Sequence, residues 1–144
     1  MEGIIKGGGA ALTALLAIYV PQMTQTLLLL LLVLSIADFV TGFLAACLTR
    51  QVDSQVGFRG VTRKAMMFFM VLIVSITETF FHQLTGIQPS TSVSLGDTLF
   101  KVSFSSATAA WYCIQETVSI MENARKIGVL PPLLEKILKV IESK

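Results

Sequence analysis

Four ionisable side chains interrupt the apolar runs of this chain: Asp38, Glu78, Lys101 and Glu116. A charge at the centre of a membrane helix costs about 2.5–3.5 kcal/mol on insertion scales. Such residues therefore pair with one another, face protein or water, or bind protons and ions. Lys101, Glu78 and Glu116 stand near segment ends, where a long side chain can snorkel. Asp38 cannot, because its short side chain lies 11 residues before Thr49, about 16 Å along a helix. Around it, Ser35, Asp38, Gly42, Ala45 and Thr49 recur at steps of 3, 4, 3 and 4, which on a helix form one narrow stripe. Small residues along such a stripe let a neighbouring backbone come close, and polar ones hydrogen-bond across the contact. Ser35 and Thr41, about one turn to either side, are the expected hydrogen-bond partners of Asp38. Facing lipid, the carboxyl would favour its neutral form; in an assembly it could bond across helices or ionise against a wet lumen. Similar stripes are Ser75, Glu78 and His82, and Ser105, Ala109, Tyr112, Glu116, Ser119 and Asn123.

This is the chemistry of helix association or of a proton or ion relay rather than of bond making. The chain has no nucleophile elbow, phosphate-binding glycine loop or zinc-protease helix, and it reads as a non-enzyme. One histidine, His82, and two cysteines, Cys47 and Cys113, give no metal-ligand cluster, and no cofactor is expected. Both cysteines fall in apolar segments and read as packing residues. A net charge of +2 is too small to suggest a nucleic-acid partner.

The elements that position these residues are membrane helices. Of 144 residues, 53% are hydrophobic and only 14% charged, against about 25% charged in a soluble domain. The expected fold is all-α, a single membrane domain over 1–144. Residues 24–49 form a first span, almost pure leucine in its first half. At about 39 Å it is long enough to cross a hydrocarbon core of about 30 Å. Residues 65–84 form a second span. Residues 98–121 form a third, polar one whose broad polar face must turn to protein or water. Residues 7–20 are apolar but short, and read as a retained interfacial helix or a possible fourth crossing. Residues 131–143 predict an amphipathic tail helix, on the membrane surface or against its copies. Loop 50–64 carries Arg50, Arg59, Arg63 and Lys64, and the tail carries Arg125 and Lys126, whereas loop 85–97 has no basic residue. The basic residues are expected near lipid headgroups, with loop 50–64 and the C-terminus cytoplasmic.

Three motifs follow in order. Asp38-Phe39-Val40-Thr41-Gly42 lies in the cytoplasmic half of the first span. Ser54, Gly57, Gly60, Arg63 and Lys64 lead into the second. Glu116-Thr117-Val118-Ser119-Ile120-Met121-Glu122-Asn123-Ala124 precedes Gly128, Pro131, Pro132 and Leu134. Over roughly 24–138 the chain resembles the holin family of phages of Gram-positive bacteria, including clostridial holin-like toxin-secretion proteins. The resemblance implies a multi-pass protein of the bacterial cytoplasmic membrane. Its copies associate into lesions that pass an endolysin or a toxin without binding it specifically and lead to lysis. The implied partners are the chain's own copies, the bilayer and an antiholin. Two other readings stay open on the residues alone: a small ion carrier using Asp38, Glu78 and Glu116, and a holin antagonist or membrane interaction subunit, for which an internal start at Met23 would serve.

Overall fold

The computed structural model describes residues 20–50, 54–95 and 98–143. The expected short helix at 7–20 lies outside them but for Val20. The chain is mainly α-helical. Helix α1 spans Gln22–Leu48, α2 Ser54–Thr85, α3 Phe104–Ile127 and α4 Pro132–Glu142; strands β1 (Ser90–Leu95) and β2 (Thr98–Ser103) separate α2 from α3.

Two departures from the expected elements have local causes. Residues 50–64 read as a loop because of their charges and glycines, yet α2 already runs from Ser54. Apolar length measures membrane thickness rather than helix length, and Arg, Lys and Gln are good helix formers. The third expected span, 98–121, is helical only from Phe104, and residues 98–103 pair antiparallel with β1, from Ser90 opposite Ser103 to Leu95 opposite Thr98. Both six-residue segments mix β-branched and apolar residues with serines around Gly96-Asp97, a hairpin signature. Lys101 is therefore an exposed strand residue, not part of a span helix.

α1 and α2 are long and apolar enough to cross a membrane, and only 11% and 22% of their apolar windows are buried. Their outer faces carry large apolar side chains such as Leu29, Val33, Phe43, Phe69 and Phe80, all more than half exposed. The buried positions include Thr24, Leu31, Ser35 and Ala45 on α1, Met67, Val71, Ser75 and Glu78 on α2, and Ser105, Ala109, Cys113, Glu116 and Asn123 on α3. Polar groups thus share the interior with apolar ones while many large apolar side chains face outward, unlike a soluble domain.

The residues group into two compact units, one of the described residues up to Leu29 with Phe68–Ala109, the other of Leu30–Met67 with Ala110 onward. In the second unit α3 ends in a left-handed glycine cap. Gly128 has φ +82°, its N–H donates to the Arg125 carbonyl at 3.0 Å, and Val129 N–H donates to the Ala124 carbonyl at 3.0 Å. This cap satisfies the last carbonyls and turns the chain, and Pro132 then opens α4. Leu138 of α4 is fully buried. Arg125 donates from both terminal nitrogens to Glu142, at 3.0 and 2.8 Å.

That fork makes tail docking pH-dependent. The Arg125 hydrogen bond holds the Glu142 carboxyl below its usual range. Its contribution is complete above the ordinary glutamate value of about 4.3 and fades as pH falls through the lowered folded value. In the full chain in bicelles, protection factors of the α4 amides, corrected for the slower intrinsic exchange in acid, should fall on acidification below that range while Leu138 keeps residual protection. Glu142→Gln should show the lower protection already at pH 7 and a flatter pH response.

Candidate functional site

Each unit holds one polar network that joins the three long helices. In the second unit, Lys64 comes from α2 on the ridge that continues at steps of 3, 4, 4 and 3 through Met67, Val71, Ser75 and Glu78. Its ammonium donates to Asp38 Oδ2 of α1 at 2.9 Å and to Glu116 Oε2 of α3. Asn123, two turns along α3 from Glu116, donates from Nδ2 to Asp38 Oδ1 at 2.9 Å. The same nitrogen lies 3.4 Å from Thr41 Oγ1. Gly42 lies beside this amide: a Cβ there would stand 3.4 Å from Asn123 Nδ2, an ordinary contact, while a larger side chain would meet it. One cation thus lies between two carboxylates, with side-chain exposures of 16% for Lys64, 14% for Asp38 and 4% for Glu116. At such burial the attraction roughly offsets the loss of hydration while the set is complete. Removing Lys64 leaves two unpaired carboxylates, whereas removing either acid leaves one balanced pair.

The network in the first unit has no cation among the described residues. Glu78 of α2 accepts Ser105 Oγ–H at 2.5 Å and Ser105 N–H at 3.2 Å. Thr24 of α1 reaches the same hydroxyl at 3.0 Å. Ser103 caps α3: its Oγ accepts from Ser106 N–H at 3.2 Å, and Ser106 Oγ accepts from Ser103 N–H at 2.8 Å. The carboxylate therefore sits at a helix start, where unbonded N–H groups and the helix dipole favour negative charge.

The structure gathers the stripe residues unevenly. Asp38, Thr41, Gly42, Glu116 and Asn123 meet in one unit, and Glu78 with Ser105 in the other. Ala45 and Ala109 are buried packing positions, and Tyr112 and Ser119 are half-buried. Ser35 is buried but does not bond Asp38; its hydroxyl, like that of Ser75, has no partner within the described chain. Thr41 donates to the Ala37 carbonyl at 2.9 Å instead of to the Asp38 carboxylate. His82 and Thr49 are exposed and drop out of their stripes. Arg50, Arg59, Arg63 and Lys126 are exposed, in keeping with surface charges, and Arg125 pairs with Glu142.

Two corrections concern the centre. Asp38 does not face lipid alone, since Lys64 is its counter-charge within the same chain. Lys64 in turn is no free headgroup anchor. Its signal was present in the sequence: it precedes the Met67–Val71–Ser75–Glu78 ridge in phase and has the sign opposite to Asp38. Thr24, Ser103 and Ser106 lie outside the spaced stripes, and Ser103 and Ser106 read from sequence only as part of the polar load of a third span starting at Thr98.

These features define a small, mainly helical membrane-type protein in which Asp38, Lys64, Glu78 and Glu116 are held between helices. The chain belongs to the bacteriophage holin family, whose model it matches over residues 10–143. It is 30% identical to a probable holin of Bacillus phage phi105 over 115 residues, 79% of this chain and 73% of that protein. It is also 30% identical to an uncharacterised protein of Halalkalibacterium halodurans over 143 residues, 99% of this chain and 96% of the other. A 14.9 kDa protein of Clostridium perfringens is 26% identical over 118 residues, covering 81% and 77% of the two chains. No solved structure matches the chain.

Lys64→Met should destabilise the folded chain by about 3 kcal/mol, as expected for an ion pair broken in a mostly buried place. Adding Asp38→Asn should recover part of that loss, since one stranded acid is removed. Gly42→Ala should change stability by less than about 1 kcal/mol, while Gly42→Leu, which must push Asn123 off Asp38, should lose about 1–3 kcal/mol. Denaturant titration in detergent micelles, followed by helical circular dichroism, measures all four variants.

Proposed function

We propose that copies of this chain associate in the bacterial cytoplasmic membrane and open lesions that release an endolysin or a toxin, leading to lysis. The observation that carries this reading is the sorting of residues in a single chain. Asp38, Lys64, Glu78 and Glu116 are held between helices with small and polar side chains, while many large apolar ones point outward. The family membership supports it. Three long helices enclose no wide pore, so several copies must contribute to a lesion. The networks around Lys64 and Glu78 keep the polar faces closed in the separate chain. In the assembly the same faces turn to other copies or to a water-filled lumen, where the ionised groups are hydrated. Ser35 and Ser75, buried without partners, gain them there.

In this reading α1 and α2 span the bilayer, α3 is the polar third span, and residues 7–20 add an interfacial helix or a fourth crossing. Loop 50–64 and the C-terminus are cytoplasmic. The cargo passes without specific binding, an antiholin is the regulatory partner, and the chain acts without enzymatic chemistry or cofactor.

Induced expression in bacteria, followed with a potential-sensitive dye and a membrane-impermeant dye, tests the reading. A lesion former gives abrupt depolarisation together with entry of the large dye. A graded leak without dye entry indicates a carrier, and neither signal indicates an antagonist or interaction subunit. Lys64→Met, at equal abundance in the membrane, should advance the onset because the closed state is weakened, while Lys64→Arg should stay near the original schedule. Onset unchanged by Lys64→Met would remove the closed-state role of the lysine. For orientation, Ser90→Cys in intact protoplasts should react with an impermeant thiol reagent and Gln55→Cys should not.

A further inference from the structure

We infer that α4 is an interfacial helix that binds anionic lipid along one edge while its other edge holds the helix to its own chain. The apolar face of α4 is wider than its dock. Leu138 is buried completely, and Ile141 lines an apolar groove with Leu30, Leu34 and Met121. The adjoining edge, Leu133, Ile137 and Val140 at steps of 4 and 3, is 71%, 46% and 62% exposed. Lys136 stands three residues from Leu133 and four from Val140, and so flanks this open edge.

The charges sort in the same way. Both acids of α4 are neutralised inside the chain: Glu142 by Arg125, and Glu135 by Lys139 at 2.9 Å. Lys136 and Lys126 have no acidic partner among the described residues. The helix therefore presents an aliphatic edge bordered by unmatched positive charge. That pattern fits a helix lying in the headgroup region, its apolar edge buried about 5–10 Å and its lysines drawn to anionic lipid. A second copy of the helix fits it poorly. Three aliphatic side chains fall well short of the roughly 800 Å² per partner of a stable interface, and a symmetric pairing would set Lys136 against Lys136. The lipid edge is also continuous in kind with the exposed apolar residues of the same unit, among them Ile36, Phe39, Phe43 and Val129.

The inference rests on the membrane reading of α1 but not on lesion formation. The test uses the full chain with Cys47→Ser and Cys113→Ala, reconstituted in vesicles, with an environment-sensitive fluorophore at a single introduced cysteine. Lipids brominated along the acyl chain quench a fluorophore that enters the bilayer. Val140→Cys should be quenched at least threefold more than Lys139→Cys in phosphatidylglycerol vesicles. The difference should shrink in phosphatidylcholine vesicles and with Lys136→Gln. Phe43→Cys serves as the reference on α1. Quenching at Phe43 but not at Val140 overturns the tail inference and leaves the membrane reading standing. Quenching at neither position overturns both. Equal quenching in the two lipids, unaffected by Lys136→Gln, overturns the charge-directed part. Energy transfer between Val140 labels of different copies, in place of quenching, assigns the edge to self-association and overturns the lipid assignment.

Discussion

A charge withdrawn from water must find its complement in the fold, and this requirement organises the molecule. Asp38 and Glu116 lie on different helices, so one lysine can satisfy both only if α1, α2 and α3 converge where it stands. Lys64 sets that convergence. The remaining oxygen of Asp38 is taken by Asn123, whose amide lies against Gly42. A set of residues distant in sequence is thereby locked by mutual dependence rather than by a large hydrophobic core. The apolar side chains that would build a core in water are spent on the outer surface.

The two networks solve the same problem differently. Around Lys64, charge is balanced by charge. Around Glu78, it is balanced by hydroxyls and by the exposed amide groups of a helix start, with Ser103 and Ser106 closing the cap. The second solution depends on where α3 begins. Had the helix started at Thr98, as apolar composition suggests, Ser105 would lie a turn or more inside it with its N–H already bonded to the helix. The hairpin thus delays the helix and delivers a free N–H to the carboxylate.

Part of this architecture is legible in the amino-acid sequence. The leucine-rich run predicts α1 to within two residues of its observed ends, Gln22 and Leu48. The spacing of Ser105, Ala109, Glu116 and Asn123 marks the buried face of α3. Hydropathy misplaced the start of α2 because Arg59, Arg63 and Lys64 look like a loop when charge is taken to mean surface, whereas a helix can carry charge past the apolar stretch. The hairpin was obscured because Leu99, Phe100 and Val102 were counted toward a helix although Gly96-Asp97 separates two short β-prone segments. The partnership of Lys64 was hidden for a deeper reason. One-dimensional patterns show which face a residue occupies, but not which residue from another helix will stand opposite it.

The wide separation of the partners along the chain also has a consequence during synthesis. Lys64 follows Asp38 by 26 residues and Glu116 follows Lys64 by 52. At roughly 5–20 residues per second, Asp38 is complete about 1–5 s before its cation exists, and the second acid arrives about 3–10 s later still. The acid and the base that balance each other are thus both made before Glu116, and α3 brings the extra negative charge and the amide for Asp38 last.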